Sequence, residues 1–217
     1  MSPLTREHVE RLNEILLRVG YKIPELHEAA FLSSLLKSSA KPGKSTGHTV
    51  NSQTLTTFHD RLLKLSTLDP QARGYTFEAF LSHLFQTYGL APRGAFRLTG
   101  EQIDGSFNLG NETYLLEVKW QNAPVAANEL DAFPKKVERK AQWSRGLFIS
   151  YSGFSKDGLE AFAMGHCTCI ICMDGLDLSE SLSGKFDLVQ VVTAKARRAA
   201  ETNRAFVSVR QLMTQKG

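Results

Sequence analysis

Cysteine is scarce in this chain: Cys167, Cys169 and Cys172 crowd one short stretch and none lies elsewhere. That excludes a disulfide framework. His166 and the Cys169-x-x-Cys172 spacing offer zinc ligands, but no second pair exists to complete a set of four. Ile170 and Ile171 between them suit a buried strand, so the cysteines read as small apolar residues. No apolar run approaches the ~20 residues that span a bilayer. Met1 to His8 lacks the apolar centre of a secretory signal. The expectation is a cytoplasmic protein with no membrane partner. Net charge is small, formally +4, with pI near 9.0, which permits a polyanionic partner without requiring one. No internal repeat is present. Ser150 and Ser152 end an apolar strand, but no paired His and Asp are arranged to make either a nucleophile. Gly43-Lys44-Ser45-Thr46 mimics the end of a P-loop, yet Ser38 stands where that motif needs glycine and a helix precedes it, which argues against ATP binding.

What is there is an ordinary globular mixture, 42% hydrophobic and 22% charged over 217 residues, enough for one α/β domain and a small companion. The first ~70 residues read as helical. Val9, Leu12, Ile15, Leu16 and Val19 recur at helical spacing before Gly20. A second helix begins at Pro24 and carries Leu26, Ala29, Ala30, Leu32, Leu35 and Leu36, and residues 38–53 form a polar loop. A third helix carries Leu55, Phe58, Leu62, Leu63 and Leu65 until Asp69-Pro70 breaks it. Three short helices bury little surface alone, so they are expected to dock on the following domain or on another subunit. The expected division is residues 1–70 for docking, assembly or targeting and 71–217 for the main domain, with a fragment from near Asp69 keeping the main fold.

From Tyr75 the pattern becomes mixed α/β. Tyr75, Phe77, Phe80, Leu81, Leu84, Phe85 and Tyr88 make an apolar helix ending at Gly89. Strands are expected near 95–99, 102–107, 113–120, 146–150 and 168–173, with a crossover helix from Ala126 to Trp143. A helix near 186–202 turns Val189, Val192 and Ala196 inward, and 205–210 reads as a short terminal strand.

The most informative feature is Glu117-Val118-Lys119 with Asp104 across a turn. Side chains alternate along a strand, so Glu117 and Lys119 share a face and Val118 takes the other. If 102–107 and 113–120 pair about the turn at Gly110, Asp104 meets them. Two carboxylates and an ammonium on one patch can hold a hard cation through oxygen and stabilise charge on a phosphodiester. Leu115, Leu116 and Val118 mark the strand as buried, where charges are seldom kept without a task.

Other segments extend the pattern. Arg73-Gly74-Tyr75-Thr76-Phe77-Glu78 opens a helix with an early glutamate. Gly146-Leu147-Phe148-Ile149-Ser150 reads as a buried strand, followed by Ser152-Gly153-Phe154-Ser155 leading into a helix, and Cys169-Ile170-Ile171-Cys172-Met173 ends at Asp174-Gly175. In this order the segments resemble the PD-(D/E)xK nuclease superfamily and its Mrr-like restriction endonuclease branch, over roughly residues 73 to 185. The resemblance implies a restriction-endonuclease-like α/β core, a mixed central sheet flanked by helices, with the N-terminal α-helical region attached. It implies metal-dependent endonucleolytic cleavage of DNA in defence against foreign or modified DNA. Mg²⁺, with Mn²⁺ as a substitute, would be held by Asp104, Glu117, the Val118 carbonyl and Glu78, and Lys119 would orient or activate the attacking water.

Basic clusters offer phosphate contacts: Lys135, Lys136, Arg139 and Lys140 in one, and Lys195, Arg197, Arg198, Arg204 and Arg210 in the other. Lys136, Arg139, Lys140, Arg197 and Arg198 are the nucleic-acid candidates, each with a solvated helix face as its plain alternative. Gln121 is a lesser candidate at the site. Expected partners are DNA, a second copy of the chain, and a protein docked on the N-terminal helices. Two other readings stay open: a non-cleaving nucleic-acid-binding or assembly protein on this fold, and a nuclease for branched DNA or RNA.

Overall fold

Leu147, Phe148 and Ile149 turn alternately to opposite faces of a sheet, and all three are fully buried. A strand covered on both faces reads as an unbroken apolar run, and here that run is the centre of the fold. The computed structural model describes residues 9–13, 26, 50–98, 100–165 and 168–214. The chain forms two compact units, residues 1–46 and 47–217. In the first, residues 9–13 are helical and the Asn13 side-chain amide donates to the Leu26 carbonyl at 2.9 Å. The rest of the first two expected helices, and Gly43-Lys44-Ser45-Thr46, lie outside the described residues.

The second unit runs α1 (Ser52–Leu65), α2 (Pro70–Thr87), β1 (Phe96–Leu98), β2 (Glu101–Ile103), β3 (Gly105–Leu109), β4 (Glu112–Lys119), α3 (Ala127–Glu138), β5 (Ser144–Ser150), α4 (Lys156–Gly165), β6 (Ile170–Asp174), α5 (Gly175–Leu182), α6 (Leu188–Thr202) and α7 (Val209–Thr214). The main sheet has the order β3-β4-β5-β6. β3 and β4 pair antiparallel, and β4, β5 and β6 run parallel. Gly110 at φ 60° and Asn111 make the two-residue turn between β3 and β4. β1 and β2 form a separate antiparallel ribbon.

Helices cover both faces. Leu115, Phe148, Ile170 and Cys172 pack with Leu130, Phe133 and Val137 of α3 and Phe162 of α4. Tyr114, Leu116, Leu147, Ile149, Ile171 and Met173 pack on the other side with α1, α2, α5 and α6. This is the expected mixed sheet flanked by helices. Asp69 caps α2 and Pro70 occupies its first turn, so the dipeptide expected to stop one helix also starts the next.

Several expectations change. Leu55, Phe58, Leu62 and Leu65 of α1 belong to the main core, so the third expected helix lies within the compact unit of residues 47–217. The strand expected at 102–107 is broken at Asp104, where the chain leaves the ribbon and enters the main sheet. The crossover helix stops at Glu138 instead of Trp143. On α6, Val192 is buried as expected, but Val189 and Ala196 are only half-buried and Lys195 is inside. The terminal strand is absent: Ala205 gives one carbonyl to the Cys172 N–H, after which Val209–Thr214 is helical. Asp177 takes the Val209 N–H at 2.8 Å and the buried Lys195 ammonium at 2.6 Å, which secures α7 against α5 and α6.

Candidate active site

Strand pairing brings the first carboxylate in. Gly105 is opposite Leu116, the Asp104 N–H donates to the Leu116 carbonyl at 3.2 Å, and Asp104 Oδ2 accepts from the Val118 N–H at 2.9 Å. The break at Asp104 therefore bends its carboxylate onto β4. A strand residue sends its N–H and C=O to the same side, so the Val118 carbonyl leaves toward Asp104, where β3 has ended.

Glu117 and Lys119 share the face of β4 that turns toward α3, as alternation requires. α3 answers both. Lys136 Nζ lies 2.8 Å from Glu117 Oε2 and donates to the Gln102 carbonyl at 3.1 Å. Lys119 Nζ lies 3.3 Å from Glu129 Oε2, and Gln121 donates to that same oxygen at 3.1 Å. Glu129 was not singled out from the sequence. The signal was available: it precedes Lys136 by seven residues, two helical turns, and so shares its side of α3.

Glu78 on α2 approaches from the other helix layer. Burial, followed by the negative charges of Asp104 and then Glu117, holds its carboxyl above the ordinary range. Burial also raises the Glu117 carboxyl, opposed by its bond to Lys136 and reinforced by Asp104. Three carboxylates thus crowd electrostatically at one end of β4. Among the described residues no three His, Cys, Asp or Glu groups stand together as a ready-made metal cage. Asp104 is engaged by Val118 and Glu117 by Lys136. Glu78 and Asp104 also line a cleft of about 260 Å³ with Tyr75, Ser82, Arg93 and Ser106.

The other basic candidates are placed differently. Arg139 and Lys140 both pair with Glu101, at 2.9 and 2.7 Å, and so tie α3 to the β1–β2 ribbon. Arg197 pairs with Glu201 at 2.8 Å. α6 lays Ala196, Ala199 and Ala200 beside Gly146 and Ile170, where β5 and β6 begin, whereas Lys119 is level with Ser150 at their far ends. From Gly146 to Ser150 the strand rises about 13 Å. The structure does not bring Arg197 and Arg198 to the carboxylates. Lys195, part of the same charge run, is buried against Asp177 instead of facing solvent.

Ser150 is fully buried, donating to the Gly153 carbonyl at 2.8 Å, and Ser152 donates to the Gln121 carbonyl. Both hydroxyls are structural. Burial pushes the Cys172 thiol up to about 12 and Cys169 up to about 11. Both are free thiols, and His166 and Cys167 lie outside the described residues.

Comparisons with known proteins bear on this arrangement. None of the curated proteins compared matches the chain significantly. Among solved structures it is similar to the MspJI restriction endonuclease in complex with a 27-mer oligonucleotide, at 14% identity and TM-score 0.36, over 85% of this chain and 45% of that one. The chain thus spans less than half the length of that protein. It is also similar to AF1548, a protein of unknown function, at 16% identity and TM-score 0.40, over 64% of this chain and 92% of that one. A family model described as restriction endonuclease, Mrr_cat, matches residues 70–182, just over half of the chain and a span that holds Glu78, Asp104, Glu117, Lys119, Glu129 and Lys136. With that match, the chain belongs to the restriction endonuclease family.

Proposed function

We propose that this protein is a divalent-metal-dependent endonuclease that hydrolyses phosphodiester bonds of DNA in defence against foreign or modified DNA. The observation that carries the reading is the convergence of Glu78, Asp104 and Glu117, where burial first and neighbouring negative charge second hold Glu78 and Glu117 above the ordinary carboxylate range. An all-oxygen donor set with surplus negative charge fits a hard cation such as Mg²⁺ or Mn²⁺. Asp104, Glu117, Glu78 and the Val118 carbonyl are the residues that would hold it. When bound, such an ion polarises the phosphoryl group and lowers the pKa of water. The chain's own groups supply the rest. Lys119, steadied by Glu129, orients the attacking water and offsets charge that develops on the phosphoryl oxygens. Lys136 would meet the scissile phosphate from α3.

The test is plasmid cleavage by purified full-length protein with Mg²⁺ or Mn²⁺, beside linear, branched and RNA substrates. Nicking that needs the metal and fails in excess chelator is expected, with Ca²⁺ supporting binding but little turnover. Undiminished cleavage in chelator would falsify the reading, and preference for branched DNA or RNA would reassign the substrate.

A further inference from the structure

Arg93 belongs to none of the motifs above, yet the backbone is shaped around it. Its N–H donates to the Ser106 carbonyl at 2.7 Å and its carbonyl accepts from the Ser106 N–H at 3.0 Å, an antiparallel bridge that places it beside Asp104-Gly105-Ser106. An unusual backbone angle precedes that bridge, and one feature makes room for it. Ala91 adopts φ 46°, a left-handed conformation that a residue with a Cβ disfavours. Gly105 has no Cβ where one would stand 2.8 Å from the Arg93 carbonyl oxygen.

Arg93 lines the same cleft as Glu78 and Asp104. Lys119, Lys136, Arg139 and Lys140 are each engaged by a carboxylate. Arg93 is exposed, and among the described residues its guanidinium has no hydrogen bond or ion pair, although two carboxylates share its cleft. A planar fork of donors left open there matches the two non-bridging oxygens of a phosphodiester, which an ammonium meets only as a point charge.

We propose that Arg93 binds the scissile phosphate and stabilises the charge that gathers on its non-bridging oxygens as the bond breaks. This assignment rests on the nuclease reading above. In the hydrolysis a water oxygen bonds to phosphorus and one P–O ester bond breaks. One proton of the water passes to the departing alkoxide, and the other stays on the phosphomonoester product or leaves to solvent. Arg93 gives up no proton in this step; it acts by charge and geometry alone.

The test compares wild type with Arg93→Ala, Arg93→Lys and Arg93→Gln in full-length protein. Single-turnover cleavage of a labelled duplex with Mg²⁺ is measured beside binding of the same duplex in Ca²⁺. Arg93→Ala should cut about 100-fold more slowly or worse, while affinity falls less than about threefold because many cations share the binding. Arg93→Lys should recover part of the rate, and added guanidinium chloride at low concentration should partly rescue Arg93→Ala, which a structural role would not allow. Thermal unfolding of Arg93→Gln should match wild type, since the side chain is exposed and unbonded. Wild-type rates in Arg93→Ala would overturn the assignment. So would weakened binding with an unchanged rate once bound, which would make Arg93 a peripheral contact. If the wild-type protein cuts no nucleic acid, the nuclease reading fails and takes this assignment with it, an outcome distinct from an active wild type with an equally active variant.

Discussion

Lys119 Nζ stands 3.3 Å from Glu129 Oε2, so the lysine of the Glu117-Val118-Lys119 triplet is steadied by the crossover helix and not by its own strand. Glu129→Ala should lower single-turnover cleavage by roughly 10- to 100-fold, the range seen when a supporting partner of a site residue is lost. Glu129→Gln keeps an acceptor for Lys119 and should lose less. Equal rates for wild type and Glu129→Ala would remove Glu129 from the site.

Lys119→Ala should abolish cleavage, by about 100-fold or more, and leave DNA affinity nearly intact. On the proposed mechanism one lysine serves the chemical step, whereas affinity draws on many dispersed cations and on counterion release. Gel shift and nicking on the same preparation separate the two. A variant that still nicks at near wild-type rate would sink the role given to Lys119.

Glu78 links the site to stability. Burial and the charges of Asp104 and Glu117 raise its folded-state pKa above 4.5, so the folded protein holds that proton more tightly than the unfolded chain. Its contribution to stability is full below about 4.5 and is lost as pH rises through the folded value. In chelator, Glu78→Gln should therefore raise Tm at pH 7 to 8, with the gain fading toward pH 4. Calorimetry across that range checks it, and a variant no more stable than wild type at pH 8 contradicts the electrostatic account.

Lys195 and Asp177 form the other charged pair of consequence. Their side chains are 1% and 2% exposed, Lys195 also donates to the Val207 carbonyl at 2.6 Å, and Phe206 lies under the ammonium at 4.8 Å. Asp177 Oδ2 has no aligned hydrogen bond, so its attachment to Lys195 is ionic. Lys195→Met leaves a buried carboxylate uncompensated and should cost about 3–5 kcal/mol in urea unfolding. Adding Asp177→Asn should recover part of that loss. A cost under about 1 kcal/mol for the single change would place the pair in solvent.

Truncation tests the division of the chain. A fragment beginning at Gly47 should fold, whereas one beginning near Asp69 loses Leu55, Phe58, Leu62 and Leu65 from the main core and should aggregate or melt early. Within the full chain, Leu62→Ala should cost about 2–5 kcal/mol. A soluble, cooperatively melting fragment from Asp69 would show that α1 only decorates the domain.

The parts of the fold set by local pattern were legible. The apolar run of β5, the turn at Gly110 and the alternation of Glu117 with Lys119 all follow from side-chain periodicity. What escaped depends on distant partners. Ile103, Gly105 and Phe107 alternate without interruption, so nothing local marks Asp104 as a break; the carbonyl of Arg93 and the N–H of Val118 create it. Phe206, Val207 and Val209 carry strand propensity, but Asp177 captures the Val209 N–H and a helix forms instead. Lys195 looks like one more member of a basic run because burial of a charge is decided by a carboxylate on another helix. The boundary near residue 70 rested on a change of pattern, and α1 shows that such a change need not separate two cores.

α3 and the two residues just past its end make three attachments around the candidate site: Glu129 at Lys119, Lys136 at Glu117, and Arg139 with Lys140 at Glu101. It is keyed to the sheet by Leu130, Phe133 and Val137. A helix turns 100° per residue, so even a modest rotation on that apolar seat would shift all three attachments together. On the proposed mechanism, the alignment of Glu117, Lys119 and Lys136 is thus a property of a greasy interface away from the reacting groups, and packing changes there are expected to surface as lost turnover before they surface as lost fold.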